Sequence, residues 1–166
     1  MNYQEALEYL EDLNVFGVNL GLARIQRLMF LLGDPQKQYK TIHVTGTNGK
    51  GSVTAMLASC LQAAGIRTGM YISPHLSSYT ERMVIDGQPV YKQQFAETLS
   101  VVRDICEFMQ GEGDEHPTQF EVLTAAAFLL FQKAGVEYAV IEVGLGGLLD
   151  STNVIVPEVS VITNVT

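Results

Sequence analysis

Thr41-Ile42-His43-Val44-Thr45-Gly46-Thr47-Asn48-Gly49-Lys50-Gly51-Ser52 decides how the rest of the chain is read. Thr41–Thr45 is a short β run, and a glycine-rich turn follows it without a break. Beyond the turn, Val53, Met56, Leu57, Cys60, Leu61 and Ala64 recur at helical spacing as far as Gly65. Strand, glycine-rich turn and helix in direct succession aim several backbone N–H groups at one point, where the helix dipole adds partial positive charge. Side chains in such a turn would block phosphate oxygens and the φ > 0 conformations that glycine adopts freely. Lys50 adds a full positive charge for β- and γ-phosphates, and Ser52 a hydroxyl for Mg²⁺. A turn that bound nothing would need neither the lysine nor so many glycines. The spacing differs from the common phosphate loop, which sets four residues between its first glycine and the Gly-Lys pair. Here only Thr47 and Asn48 separate Gly46 from Gly49, and Gly51 stands between Lys50 and Ser52.

Outward from this stretch the pattern alternates. Residues 3–13 and 22–32 predict two amphipathic helices, the second stopped by Gly33-Asp34-Pro35. Arg67–Ile72 reads as a strand, and Met83–Val90 as a hairpin turning at Asp86-Gly87. Phe95, Leu99, Val102, Cys106 and Met109 mark a helix, and Gly111–Pro117 a loop. Thr118 and Glu121 make a capping box that opens an apolar helix to about Lys133, with Gly135 as its stop. Val136–Val143 and Val159–Val165 are nearly all apolar, as strands buried on both faces are. The expectation is an α/β fold built on a parallel sheet with covering helices. Ligands of such sheets bind beyond the carboxyl ends of the strands, where segments 46–52, 73–75 and 142–153 fall.

The length of 166 residues fits one domain or part of something larger, and 47% hydrophobic residues suffice for a core. A net charge of −8 argues against general nucleic-acid or anionic-membrane binding, which recruit Lys/Arg clusters. It leaves room for a nucleotide, which one loop and one metal ion can hold. Met1–Glu5 lacks the basic start and apolar run of a signal peptide, and Val122–Phe131 is about half a membrane span in length. Cys60 and Cys106 lack metal spacing and read as small core residues in a reducing compartment. A cytoplasmic protein is expected.

Glu142 ends an otherwise apolar strand, Tyr138–Ile141, where a carboxylate is costly to bury unless paired or bound to a cation. An Arg partner or a backbone turn is the plain alternative to a Mg²⁺ ligand facing the loop. Ser73-Pro74-His75 by itself is a strand-end turn.

Thr45–Ser52, as T-G-T-N-G-K-G-S, resembles the ATP loop of the folylpolyglutamate synthase and dihydrofolate synthase branch of the Mur ligases. Asn19-Leu20-Gly21-Leu22, Ser73-Pro74-His75-Leu76, Thr80-Glu81-Arg82, Phe120-Glu121, Glu142-Val143-Gly144-Leu145-Gly146-Gly147 and Asp150-Ser151-Thr152-Asn153 match that branch in the same order. The resemblance implies a P-loop-type ATPase domain, the Mur ligase central domain. Gly46, Thr47, Asn48, Gly49, Lys50, Gly51 and Ser52 would hold ATP, and Ser52, Ser73 and Glu142 would ligate Mg²⁺. Lys50 and Glu142 would be the catalytic pair. Leu20, Gly21, Leu22, His75, Arg82, Thr118, Phe120, Glu121, Asp150 and Ser151 would surround the folate, an aromatic face stacking on its pterin and a carboxylate accepting from its amino-pyrimidine edge. Thr118 also reads as a plain helix cap and Phe120 as core, and Leu148 stands where many relatives carry Arg.

The implied reaction is ATP-dependent addition of L-glutamate to a folate, or to dihydropteroate, by a protein that is a monomer at full length. Another Mur-type ligase, or an ATP-binding module without turnover, are the alternatives. Val159–Thr166 ends on an apolar strand, so residues 1–166 are expected to be the N-terminal portion of the ATP-binding domain, incomplete and without the family's C-terminal domain.

Overall fold

The computed structural model describes residues 1–166. Six strands form one sheet in the order β4-β3-β2-β5-β1-β6. They are β1 (Lys40–Thr45), β2 (Thr68–Tyr71), β3 (Met83–Ile85), β4 (Gln88–Pro89), β5 (Tyr138–Glu142) and β6 (Val159–Ile162). β2, β5, β1 and β6 run parallel, while β3 and β4 extend the sheet antiparallel at one edge. The expected hairpin is therefore present and makes the sheet mixed. Its turn residues Asp86 and Gly87 both have φ > 0, at 48° and 76°, which a two-residue turn matched to strand twist requires.

Five α-helices cover the sheet unevenly. α1 (Tyr3–Asp12), α2 (Ala23–Leu31), α4 (Lys92–Gly111) and α5 (Gln119–Ala134) share one hydrophobic cluster with Tyr71, Ala139 and Ile141. Every residue from Val122 to Phe131 is buried there, because α5 is sandwiched between the sheet and the other helices. The Thr118–Glu121 capping box opens α5, and Gly135, in the left-handed region, closes it. On the opposite face α3 (Lys50–Ala63) alone packs over Ile42, Val44 and Val140. Strand alternation fixes this division. Ile42 and Val44 face α3, so His43 between them faces the other side.

Two expectations about burial are corrected. The apolar run Val159–Val165 predicts a strand buried on both faces, but β6 ends at Ile162, and Val159 and Ile162 are 52% and 66% exposed. The strand pairs only with β1, and of its residues Val161 alone packs against the cluster beneath α3. Cys106 is buried, but Cys60 is exposed. α3 is apolar around most of its circumference, so periodicity alone does not choose its inner face. Packing turns Val53, Leu57 and Leu61 inward and leaves Met56 and Cys60 outside. No helix is long and apolar enough to cross a membrane.

α5 lies close to β2 because Gly69 has no side chain. A Cβ there would sit 2.9–3.1 Å from three ring atoms of Phe131, which is fully buried. Gly69→Ala is expected to destabilise the chain by about 1–3 kcal/mol, the ordinary cost of overpacking a core. Urea denaturation checks this, and a companion Phe131→Leu should recover part of the loss.

Candidate nucleotide and substrate site

The parallel strands deliver their carboxyl ends to one rim. β1 runs into the turn 46–49, where Gly46 (φ 136°) and Gly49 (φ 79°) hold backbone conformations closed to most side chains. Gly49 is the N-cap of α3 and supplies no side-chain cap. The first bond of the helix runs from Val53 N–H to Gly49 O, so the N–H groups of Lys50, Gly51 and Ser52 stay free for an anion. Lys50 Nζ donates to Gly46 O at 3.0 Å, folding its charge back over the loop.

The segment after β6 clamps the other half of the turn. Asn164 O accepts from Thr47 N–H and Asn164 Oδ1 from Asn48 N–H, both at 2.9 Å. Thr163 Oγ1 donates to Asn48 O at 2.7 Å. Thr47 and Asn48, expected among the nucleotide ligands, therefore have their N–H groups already engaged. Thr163 and Asn164 escape sequence reading. They are ordinary polar residues after a strand, and only the sheet order brings them to the loop.

Glu142 closes β5, opposite Val44 in the register, and is only 5% exposed. Its Oε2 accepts the N–H of Ser73 at 2.9 Å, and its Oε1 lies on the side of Gly51. Burial raises its pKa above the usual carboxylate range, opposed by the Ser73 N–H and the charge of Lys50. Glu142 makes no ion pair with an Arg, and the backbone contact that was the other plain alternative is the one present. No group of three or more His, Cys, Asp or Glu side chains gathers as a metal cluster. A buried carboxylate with spare acceptor capacity beside a phosphate loop suits Mg²⁺, which keeps waters and phosphate oxygens in its shell.

Beside Glu142 opens a cavity of about 310 Å³. Of the residues expected around a substrate, Leu20, Arg82, Thr118, Phe120, Asp150 and Ser151 line it, together with the expected metal ligand Ser73. Gly21, Leu22, His75 and Glu121 do not. His75 Nδ1 accepts from Arg82 Nε at 2.8 Å while its ring packs on Tyr79, so it steadies Arg82. Burial and the charge of Arg82 push the His75 pKa down, keeping that acceptor nitrogen bare. Glu121, 1% exposed, accepts from Thr118 N–H at 2.7 Å and pairs with Arg24 at 3.1 Å. Arg24 in turn donates to Asn19 O, tying the segment 17–20 of the cavity wall to α5. Arg24 was not read from sequence, since it lies 97 residues from its carboxylate partner. Phe120 stacks loosely on Tyr71, with ring centroids 6.3 Å apart, and reaches the cavity.

Fold and loop together define a phosphate-loop domain on a mainly parallel α/β sheet. Residues 44–166 match the Mur ligase middle domain, and the chain belongs to that family. It is 42% identical over 166 residues to the folylpolyglutamate synthase of Lacticaseibacillus casei, across 99% of this chain and 39% of that protein. It is 38% identical over 164 residues to the dihydrofolate synthase/folylpolyglutamate synthase of Bacillus subtilis, across 98% of this chain and 38% of that one. The Mycobacterium tuberculosis folylpolyglutamate synthase complexed with ADP superposes with a TM-score of 0.91 at 41% identity, over 99% of this chain and 38% of that chain. An FPGS complex with AMPPCP and folate gives 0.89 at 41% identity, over 98% and 40%. The chain thus spans about two fifths of the length of these relatives.

The raised pKa of Glu142 has a consequence for stability. A carboxyl whose folded pKa is raised lowers stability as pH climbs through the interval between its unfolded and folded values. Glu142→Gln keeps an acceptor for the Ser73 N–H and removes the buried charge. In chelator at neutral pH its melting midpoint should exceed that of the unmodified chain, and the two should converge at pH values below the ordinary carboxylate range. A lower midpoint at neutral pH would show that the charge is compensated within the fold.

Proposed function

We propose that the protein is the nucleotide-binding part of an ATP-dependent ligase that joins L-glutamate to a folate. One observation carries the reading: Ser73 lines the cavity while its N–H holds Glu142, so a substrate pocket and a phosphate loop share one boundary. The folate and nucleotide of the solved FPGS complex support the assignment of the two ligands.

On this reading the free N–H groups of Lys50, Gly51 and Ser52 cradle the nucleotide phosphates. Lys50 leaves Gly46 O and holds the β/γ-phosphate charge, a positioning and electrostatic role. Ser52, Ser73 and Glu142 would hold Mg²⁺, which when bound supplies charge neutralisation at the phosphates. The substrate lies in the cavity with Phe120 against its pterin, Asp150 accepting from its amino-pyrimidine edge and Arg82 on its polar side. Its carboxylate oxygen attacks the γ-phosphorus and the bond to ADP breaks, giving an acyl phosphate. The amine of L-glutamate then adds to the acyl carbon, and the tetrahedral intermediate expels phosphate to leave the amide. Dihydropteroate, which offers the same pterin and carboxylate, is the second acceptor on this reading.

We place the enzyme in the cytoplasm, as a monomer at full length, with no nucleic-acid or membrane partner, in keeping with its charge of −8. Residues 1–166 constitute the N-terminal portion of the ATP-binding domain, and a C-terminal domain completes the site for glutamate. The two-fifths coverage of its relatives supports that division.

Lys50→Ala is expected to weaken AMPPCP binding by about 10- to 100-fold, the worth of a charge-assisted contact. Isothermal titration measures it, and an unchanged affinity would reject the loop as the nucleotide site. The 166-residue chain on its own should bind nucleotide yet add no measurable glutamate to folate or dihydropteroate. Turnover in a radiolabelled-glutamate assay would instead make this chain sufficient for catalysis.

A further inference from the structure

The buried contact between β1 and the segment after β5 is explained neither by the fold nor by the proposed chemistry. His43 is 8% exposed on the face of β1 turned away from α3, and its Nε2 lies 2.8 Å from Thr152 Oγ1. Thr152 is fully buried. Its hydroxyl donates to Asp150 Oδ1, and its N–H reaches the same oxygen at 2.9 Å. Asp150 Oδ2 accepts the N–H of Leu145 at 2.8 Å, and Asp150 and Leu145 both line the cavity.

We infer that His43 and Thr152 are positioning residues, a buried hydrogen-bond relay that sets the orientation of the Asp150 carboxylate toward a polar ligand edge. The inference rests on the folate reading for the identity of that ligand, though not for the existence of the relay.

Proton counting gives the relay one direction. A hydroxyl carries one proton, and the Thr152 proton goes to the carboxylate. Oγ1 is then left only as an acceptor toward His43, so the Nε2 of the imidazole carries a proton. Burial pushes the His43 pKa down, with the charge of Asp150 pulling the other way. Two donors saturate Oδ1, whereas Oδ2 holds one and keeps a lone pair free. The carboxylate is thus aimed, with one oxygen spent on the protein and the other left for a ligand N–H. An amino-pyrimidine edge supplies such donors. The same strand that carries His43 runs on into the phosphate loop, so one rigid element registers both halves of the site.

The test uses His43→Leu, His43→Gln, Thr152→Val and Thr152→Ser in the 166-residue chain, with folate and ADP titrated separately by calorimetry. His43→Leu and Thr152→Val should weaken folate binding by about 3- to 10-fold, the loss of one hydrogen bond that orients another. ADP affinity should hold in every variant. His43→Gln and Thr152→Ser, which restore a donor and a hydroxyl, should recover most of the folate affinity. Equal losses for folate and ADP, or no rescue by Gln and Ser, would reduce the contact to structural support and overturn the inference. If the unmodified chain binds ADP but no folate, the folate reading fails, and ¹⁵N imidazole spectra decide the relay. They should show His43 protonated on Nε2, with a resonance that moves in Asp150→Asn. A ring bare at Nε2, or one indifferent to Asp150, would overturn it without reference to any ligand.

Discussion

β1 lies between β5 on one side and β6 on the other, parallel to both, and this pairing underlies the whole functional rim. The register sets Val44 beside Glu142 and Thr45 beside Ile162, so three chain exits leave the sheet at one level. A one-residue slip would turn every side chain of β1 to the opposite face. Ile42 and Val44 would lose α3, His43 would lose Thr152, and the phosphate turn would start on the wrong side. The register is held from both flanks by apolar burial and by the hydrogen bonds of Asn164 and Thr163 to the turn. The rim is therefore a consequence of strand pairing, with the glycines permitting its shape.

The two faces of the sheet are built to different standards. Under α5 the packing is tight enough that Gly69 must lack a side chain, and the helix carries an unbroken buried run from Val122 to Phe131. Over the other face a single helix covers three core residues and leaves Met56 and Cys60 exposed. The dense packing thus lies behind the cavity, where Phe120 and Thr118 stand at the start of α5. The ion pair of Glu121 with Arg24 extends that support into the segment 17–20, which otherwise has few anchors. Arg24 and Glu121 shape the pocket without entering it.

Local chemistry was legible from sequence wherever it is self-contained. The Thr118–Glu121 capping box, the Asp86-Gly87 turn and the glycine loop each combine residues within a few positions, and the fold keeps all three. Features that depend on sheet order were not legible. Asn164 meets Asn48 across 116 residues and His43 meets Thr152 across 109, and nothing in either neighbourhood marks the pairing. The misreadings of β6 and Cys60 have a related cause. An apolar run reports what a segment is able to bury, whereas exposure depends on what lies over it.

Charge explains how an acidic chain accommodates polyanionic chemistry. The chain carries a net −8, while the phosphate turn presents backbone N–H groups and one lysine. Glu142 is the exception, a carboxylate held next to that turn and answered by a single backbone N–H. Its position is unfavourable in the free chain, as its raised pKa records. On the proposed function, a hard cation held there would supply the missing charge. The electrostatic cost of Glu142 therefore sits at the boundary between loop and cavity, where the proposed metal site would offset it.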